Sequence, residues 1–473
     1  MQSFVVESDA GLFSLREGNI ALDHPVAIAA LGKSAGEEFE WLFKGDGQAK
    51  ITWVKHKALA AFHQILDKFE ESFPNTSGLK SVSVNFDDPS GLDDMKAMLK
   101  QRADYAQSKA TEYLEGAYPI YLLGYHLGID PIDAFIGLQS ECGISPKVSS
   151  CSHADRDKAQ RSLVFCQRSG VIVDAAAVHL MRRLGIETAV EQEFGPIGIT
   201  QVTLDVFMER LQGVERSSFF DSDTGEKRTG NISFRDGQIV MAEASEEDVN
   251  TKLELLRSDV DWLQTKCTLL PAVAKTDPID AVIRFRNEAG GRFFDDIFAA
   301  DGSDRILISE DYHLRSWAET LFGVRGAWIQ ALLFYLEDQN RISVESAIKA
   351  TLQLQYLGED ALSTNTNRLL VAAEMMATGE MSDIEFARYS SLLGQKGAEM
   401  RSHIEVALAT IKGLWTIGSR NSVRERATGI VLLNLTRLQG TDLRVVLDKI
   451  QTLNRNPFAD QYIKNWRIGH FLT

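Results

Sequence analysis

Four acidic positions in this chain of 473 residues are spaced so that a parallel sheet would deliver them to one place. Asp174 follows the apolar run Val171-Ile172-Val173, and Asp311 follows Arg305-Ile306-Leu307-Ile308-Ser309. Glu209 lies one to two turns into the helical stretch after a further apolar run, Ile197–Thr200. Asp295 or Asp296 stands in Gly290-Gly291-Arg292-Phe293-Phe294-Asp295-Asp296-Ile297-Phe298, which reads as a helix start. Ligands of open parallel sheets bind beyond the carboxyl ends of the strands. Asp174 and Asp311 would therefore face one crevice, with Glu209 and Asp295 carried to it by flanking helices. Carboxylates brought together without a cation repel one another and raise each other's pKa. A hard divalent cation such as Mg²⁺ or Mn²⁺ removes that conflict, because it prefers oxygen ligands and is commonly held by a few carboxylates plus phosphate. Such a site can activate water and stabilise the leaving oxygen of a phosphodiester. Each acid also has a plainer reading. An aspartate after a strand is a common helix cap, and Glu209, one turn after Asp205, suits a solvated helix face.

The elements that must position these acids follow from periodicity. Short apolar runs at Val171–Val173, Ile197–Thr200 and Arg305–Ser309 alternate with helical patterns over Ala175–Leu184, Val202–Leu211 and Asp311–Leu321. This alternation predicts a parallel sheet of α/β type. An insertion over 213–266 carries a hairpin signal, with Asn231–Phe234 and Gln238–Ala242 flanking Arg235-Asp236-Gly237, and then a helix opened by Ser245-Glu246-Glu247-Asp248. Upstream, the pattern predicts an amphipathic helix over Ile51–Phe73, a loop at Pro74–Gly78, a strand at Ser81–Phe86 and helices over Gly91–Gly116, Pro119–Leu127 and Pro131–Gln139. The last two have proline at their starts and only Gly128-Ile129-Asp130 between them, which suggests a helical hairpin. After Asn340 the strand signal vanishes and six helical patterns follow, from Ser343 to Leu453, with no fixed repeat period. The expected organisation is a mainly helical region 1–165, an α/β domain 166–340, and an all-α domain 341–473.

At Gly170–Ala175, Ile199–Leu211 and Ile306–Asp311 the chain resembles the PIN-domain (PilT N-terminus-like) nucleases. The continuations Tyr312–Ala318 and Gly326–Leu333 look like the variant found with helical repeats in larger bacterial proteins, and Tyr113–Ile120 looks similar to the segment preceding that unit. The resemblance covers about residues 165–340. It implies a parallel sheet sandwiched by helices and a metal-dependent endoribonuclease that hydrolyses RNA phosphodiester bonds with Mg²⁺ or Mn²⁺. It makes Asp174, Glu209 and Asp311 metal-site acids and Asp295 the remaining one, with Asp296 adjacent. Ser309 matches a hydroxyl-bearing position beside the last acid, although it equally suits the N-cap of the following helix. Arg315, four residues after Asp311 and on the same helical face, suits a substrate clamp or an ion pair. Single-stranded or loop RNA is the substrate the resemblance favours.

Composition narrows the partners. With 50 Lys and Arg against 66 Asp and Glu, the formal net charge is −16, which argues against a surface that tracks nucleic acid throughout. No run of about 18 uncharged apolar residues predicts a membrane span. The opening residues lack the basic and apolar regions of a secretory signal, and four scattered cysteines do not make a disulfide framework, so a reducing cytoplasm is expected. Cys142, Cys151, His153 and Cys166 lack zinc-ligand spacing. Gly32-Lys33-Ser34 lacks the rest of a phosphate-binding loop. The alternative from a different class is an inactive PIN-like scaffold that binds a protein partner through its helical regions. Geometry separates the two. Four carboxylates meeting in one open crevice favour catalysis, whereas dispersal, or occlusion by the insertion, favours the scaffold.

Overall fold

The computed structural model describes residues 4–8, 19–41, 47–69, 92–166, 169–217, 219–220, 227–235, 237–275, 277–288, 291–359, 361–395, 400–416, 422–435, 443–453 and 456–470. The loop expected at Pro74–Gly78 and the strand at Ser81–Phe86 lie outside the described residues. By its contacts the chain divides into two compact units, Met1–Met98 and Leu99–Thr473.

The first unit pairs β1 (Val5–Glu7) with β2 (Asn19–Ala21) in parallel, followed by α1 (Pro25–Ala30). An antiparallel hairpin of β3 (Glu38–Trp41) and β4 (Gly47–Lys50) comes next. The helix expected from Ile51 begins only at Lys57, as α2 (Lys57–Asp67). His56 is extended there, and its side chain accepts the Ala58 N–H, so the cap fixes the start despite apolar spacing that reaches back to Trp53.

From α3 (Asp93–Leu114) onward the second unit is mostly helical. The hairpin read from the two prolines is present as α4 (Ile120–Leu127) and α5 (Pro131–Cys142), followed by α6 (His153–Cys166). The α/β part runs β5 (Val171–Val173), α7 (Ala175–Leu184), α8 (Glu187–Phe194), β6 (Gly198–Ile199) and α9 (Gln201–Ser217). The insertion contributes β7 (Phe219–Phe220), β8 (Lys227–Arg235), β9 (Gln238–Ala244) and α10 (Glu246–Lys266). Ser245 and Asp248 close the capping box their spacing predicts. The chain then passes through β10 (Thr268–Leu269), α11 (Asp280–Glu288), a 3₁₀ turn at Arg292–Phe294, α12 (Asp295–Ser303), β11 (Ile306–Ile308), α13 (Tyr312–Phe322), β12 (Gly326–Ala327) and α14 (Ile329–Asp338).

Five strands form one parallel sheet in the order β10-β6-β5-β11-β12. All residues of β5 and β11 are buried, as expected for parallel strands covered on both faces. α12 packs on both of these strands, and α6 packs on β11 and β12. From β5 the chain adds β6 on one side, whereas β11 returns on the other. That reversal places a topological switch point at the carboxyl ends of β5 and β11. The edge strands β10 and β12 have two residues each, too few to show alternation in the sequence.

The C-terminal patterns appear as α15 (Val344–Tyr356), α16 (Thr366–Thr378), α17 (Asp383–Ser390), α18 (Met400–Thr416), α19 (Arg424–Leu435) and α20 (Leu443–Leu453). A further helix, α21 (Pro457–Gly469), was absent from the sequence reading; Asn456 caps it and Pro457 opens it. A continuous buried cluster joins Ala110 to Trp466 through the sheet, so the α/β layer and the helical stack share one core. No helix among the described residues is long and apolar enough to cross a membrane.

Candidate active site

The switch point holds a small cavity of about 20 Å³, room for one water-sized body, lined among others by Asp174, Asp296 and Asp311. Each acid arrives there for a local reason. Asp174 leaves β5 in extended conformation and caps α7, its Oδ1 accepting the Ala177 N–H at 2.8 Å. Asp311 leaves β11 in the same way and caps α13, its Oδ1 accepting the His313 N–H at 2.9 Å. Asp296 sits in the first turn of α12, where its Oδ1 accepts the Thr200 hydroxyl at 2.6 Å and the Thr203 hydroxyl at 3.5 Å. Aromatic packing fixes that turn. Phe294 stacks on Phe298 at 5.7 Å and on Trp317 at 6.2 Å, and the left-handed Gly291 makes the sharp entry, where a Cβ would meet the Arg286 carbonyl oxygen at 2.7 Å.

Burial decides the electrostatics. It pushes Asp296 and Asp311 up to about 7, and the nearby Asp174 charge adds to both. Asp174 is itself raised by burial, against hydrogen bonds from the Ser309 hydroxyl and the Ala177 N–H and the field of Arg315. Glu310 is raised to about 7 by burial; its Oε1 accepts the Ile329 N–H, and its Oε2 has no hydrogen-bond partner among the described residues.

The expected set is therefore only partly brought together. Asp174 and Asp311 line the cavity, but Asp295 does not. It is half-buried and turns to Arg286 Nη2 at 3.3 Å, while Asp296, one residue on, points at the threonines. Glu209 is exposed on α9 and does not line the cavity. Both act on an outer ring around Tyr121, whose hydroxyl is pushed up to about 12 by burial first, then by Asp296, Asp295 and Glu209, against Arg292. Arg292 in turn holds Asp205 at 2.5 Å.

Ser309 and Arg315 are both buried. Ser309 bridges the two strand-end acids, its hydroxyl accepting the Asp311 N–H at 3.1 Å and donating to Asp174. The cap of α13 is Asp311 itself. Arg315 is 7% exposed. Its guanidinium donates to the carbonyls of Ser309 and Val148, stacks 5.2 Å from the Trp328 ring, and lies in the fields of Glu310, Asp311 and Asp174.

Sequence reasoning left Asp296 open beside Asp295, and it missed Thr200, Thr203, Ile120 and Tyr121. The threonines at i and i+3 opening a helix were a local sign that a buried acceptor lay nearby, but the identity of the acceptor, 93 to 96 residues away, was not local. As for the insertion, α10 packs on α9, and its buried Asp259 accepts from Arg182 and Arg183 in the last turn of α7. Eight residues of helix from Asp174 to Arg182 span about 12 Å. The insertion therefore holds the far end of α7 and leaves the cavity alone.

An open-sheet switch point with strand-end acids defines an α/β domain whose ligand site lies beyond the strand ends. Residues 172–320 match the family described as the PIN domain associated with the TPR-GreAB-C-PIN system, so this segment is a PIN domain lying within a larger helical protein. No curated protein and no solved structure matches the chain. PIN domains are generally nucleases that use divalent metals, and the cavity fits such an ion by donor type, offering buried carboxylate oxygens and nothing softer. Among the described residues, no group of three or more His, Cys, Asp or Glu side chains is placed to hold a metal ion.

Two outcomes follow. Arg315→Ala should cost about 3–5 kcal/mol in urea unfolding, because it strips a buried cation from buried acids and orphans two carbonyls; a substrate clamp would leave stability unchanged. The raised carboxyls set a pH dependence. Asp296 and Asp311 are protonated when folded up to about 7 but ionise at about 3.9 when unfolded. The folded chain thus binds more protons within that window, and stability present at low pH is lost as pH rises towards 7. In chelator, Tm should fall from pH 5 to pH 8. Asp296→Asn, whose amide oxygen still accepts from both threonines, should flatten the fall and melt higher than wild type at pH 8.

Proposed function

We propose that the PIN domain is a metal-dependent endoribonuclease whose working acids are Asp174, Asp296 and Asp311, with Glu209 and Asp295 in an outer ring. The observation that carries this reading is the convergence of three buried carboxylates on one cavity at the carboxyl ends of β5 and β11. These three would hold Mg²⁺ or Mn²⁺, which when bound supplies water activation and charge stabilisation at a phosphodiester. The chain's own groups do the rest. Ser309 orients Asp174 towards Asp311, the two threonine hydroxyls fix one oxygen of Asp296, and Arg315 holds the strand ends in register behind them. Arg286 and Arg292, each partly exposed and already paired with an acid, are the cations placed to meet a phosphate backbone. Cleavage in line would leave a 5′-phosphate and a 3′-hydroxyl.

The carboxylates' present partners support a second reading, a scaffold that binds a protein through the helical stack. Asp174 and Asp311 both cap helices, and the cavity between them is small. Labelled RNA and DNA incubated with Mn²⁺ separate the two. In the nuclease reading Asp174→Asn, Asp296→Asn and Asp311→Asn each lose about 100-fold or more, the scale for removing one electrostatic group at a reacting centre, while Asp295→Asn stays within several-fold. Cleavage that needs no metal, or that survives all three changes, sinks the nuclease reading. Binding should also report how few cations meet the strand. With two arginines engaged, log affinity for single-stranded RNA should fall with log salt at a slope of roughly −1.4; a far steeper slope would mean a basic surface elsewhere carries the RNA.

A further inference from the structure

The cavity is covered by the chain itself, and the cover is built from the α4–α5 hairpin. Ile120, Tyr121 and Pro131 line the cavity opposite the acids. α4 begins after Pro119, which gives it no side-chain cap, so the first helical N–H has no local acceptor. The Ile120 N–H donates instead to Asp311 Oδ2. Asp311 Oδ1 already takes the His313 N–H, so both oxygens of this acid are engaged. The partial positive charge at the start of α4 thus stands where a cation would. Tyr121 reaches into the field of Asp296 at the cavity and of Asp295 and Glu209 outside it.

A separate contact fastens the hairpin. Arg210 on α9 donates through Nη1 to Asp130 at 2.6 Å and to Asp133 at 2.7 Å, and its side chain is only 10% exposed. Asp130 is also the cap of α5, accepting the N–H groups of Ile132 and Asp133 at 2.9 Å each. Gly124 lets the two helices close on one another, since a Cβ there would meet the Ile129 carbonyl oxygen at 2.8 Å. The hairpin is therefore a stiff unit, joined to the shared core by Leu122, Leu123, Ile132, Phe135 and Leu138, fastened by a partly buried ion pair, and seated in the acidic cavity by a backbone N–H.

We propose that the start of the α4–α5 hairpin is a built-in plug: it occupies Asp311 through Ile120 and lines the cavity through Tyr121, is latched by Arg210 to Asp130 and Asp133, and its first turn must draw back before a divalent cation reaches Asp174, Asp296 and Asp311. The inference rests on the nuclease reading of that cavity and adds its regulation. It accounts for three acids on one cavity that are buried and engaged by protein donors. A cation that binds only the open form has an apparent affinity reduced by the fraction of molecules that are open.

The test releases the latch in two ways that change charge oppositely, in the full chain. Arg210→Gln removes a positive charge near the site. Asp130→Asn with Asp133→Asn removes two negative charges and keeps an asparagine cap on α5. Hydrogen exchange of the 120–127 amides reads the plug without reference to metal, and Mn²⁺ titration reads access to the acids. The plug predicts faster exchange in both variants and Mn²⁺ binding roughly tenfold tighter in both, with the gain abolished when Asp174→Asn is added. Tighter binding in Arg210→Gln with weaker binding in the double variant is simple electrostatics and overturns the plug. Faster exchange with Asp174-dependent Mn²⁺ binding at the wild-type level also overturns it, and leaves the nuclease site standing. Faster exchange with no Asp174-dependent Mn²⁺ binding in any variant overturns the nuclease reading, and the plug's role as a gate falls with it. Ile120→Pro gives an independent arm. Proline suits the first helical position and residue 119 is already extended, so α4 survives while the donor to Asp311 is gone; Mn²⁺ binding no tighter than wild type counts against the plug.

Discussion

The constraint on which this structure depends is the burial of several ionisable groups at one end of the sheet. Asp174, Asp296, Glu310 and Asp311 are all buried there, and Arg315 is buried among them. Carboxylates so placed cannot all ionise without severe mutual cost. The fold's solution is to surround them with fixed donors: helix N-termini at Asp174 and Asp311, hydroxyls at Ser309, Thr200 and Thr203, and one guanidinium behind. Arginine suits this position because its planar fork satisfies two backbone carbonyls while its charge stays delocalised, which a lysine ammonium does not reproduce. The strand ends, the entry turn of α12 and the start of α4 are all arranged by what these acids require.

That arrangement explains how much of the site was legible. Val171–Val173 and Ile306–Ile308 read as buried parallel strands because they are short, continuous and apolar, and an acid at the end of each reads as a ligand or a cap by the same logic. In the structure both are caps. The choice between Asp295 and Asp296 was not legible, because the two acids are adjacent and the four apolar residues after them, Ile297–Ala300, are all buried and leave the phase of the helix open. The phase is set by Phe293 and Phe294 packing against Trp317, Phe285 and Phe322, and by threonines on another helix. Ile120 was illegible for a deeper reason. Its contribution is a backbone N–H, which carries no residue-type signature, and it meets an acid 191 positions away.

The elements outside the sheet divide by which end of it they touch. The insertion grips the last turn of α7 through Arg182, Arg183 and Asp259, and Arg182 also stacks 5.3 Å from Trp262. That contact braces the end of the helix whose other end Asp174 caps. The α4–α5 hairpin instead sits on the carboxyl end of the sheet. A sequence that offers two additions to one domain gives no sign of which will cover its cavity, because that depends on the direction in which α7 and α9 leave the sheet.

A cap and a cation are not exclusive on one carboxylate. An ionised carboxylate has about four lone-pair directions, and the bond from Ala177 occupies one oxygen of Asp174, much as the threonines occupy one oxygen of Asp296. Those bonds can persist with an ion bound, and they would keep the carboxylates oriented before it arrives. Asp311 differs because its second oxygen is spent on a segment from outside the α/β layer. Losing that one bond frees an oxygen without uncapping α13. The step from a capped end of a sheet to an ion-accepting one therefore turns on the first turn of α4, in an element held both by the shared core and by the ion pair at Arg210.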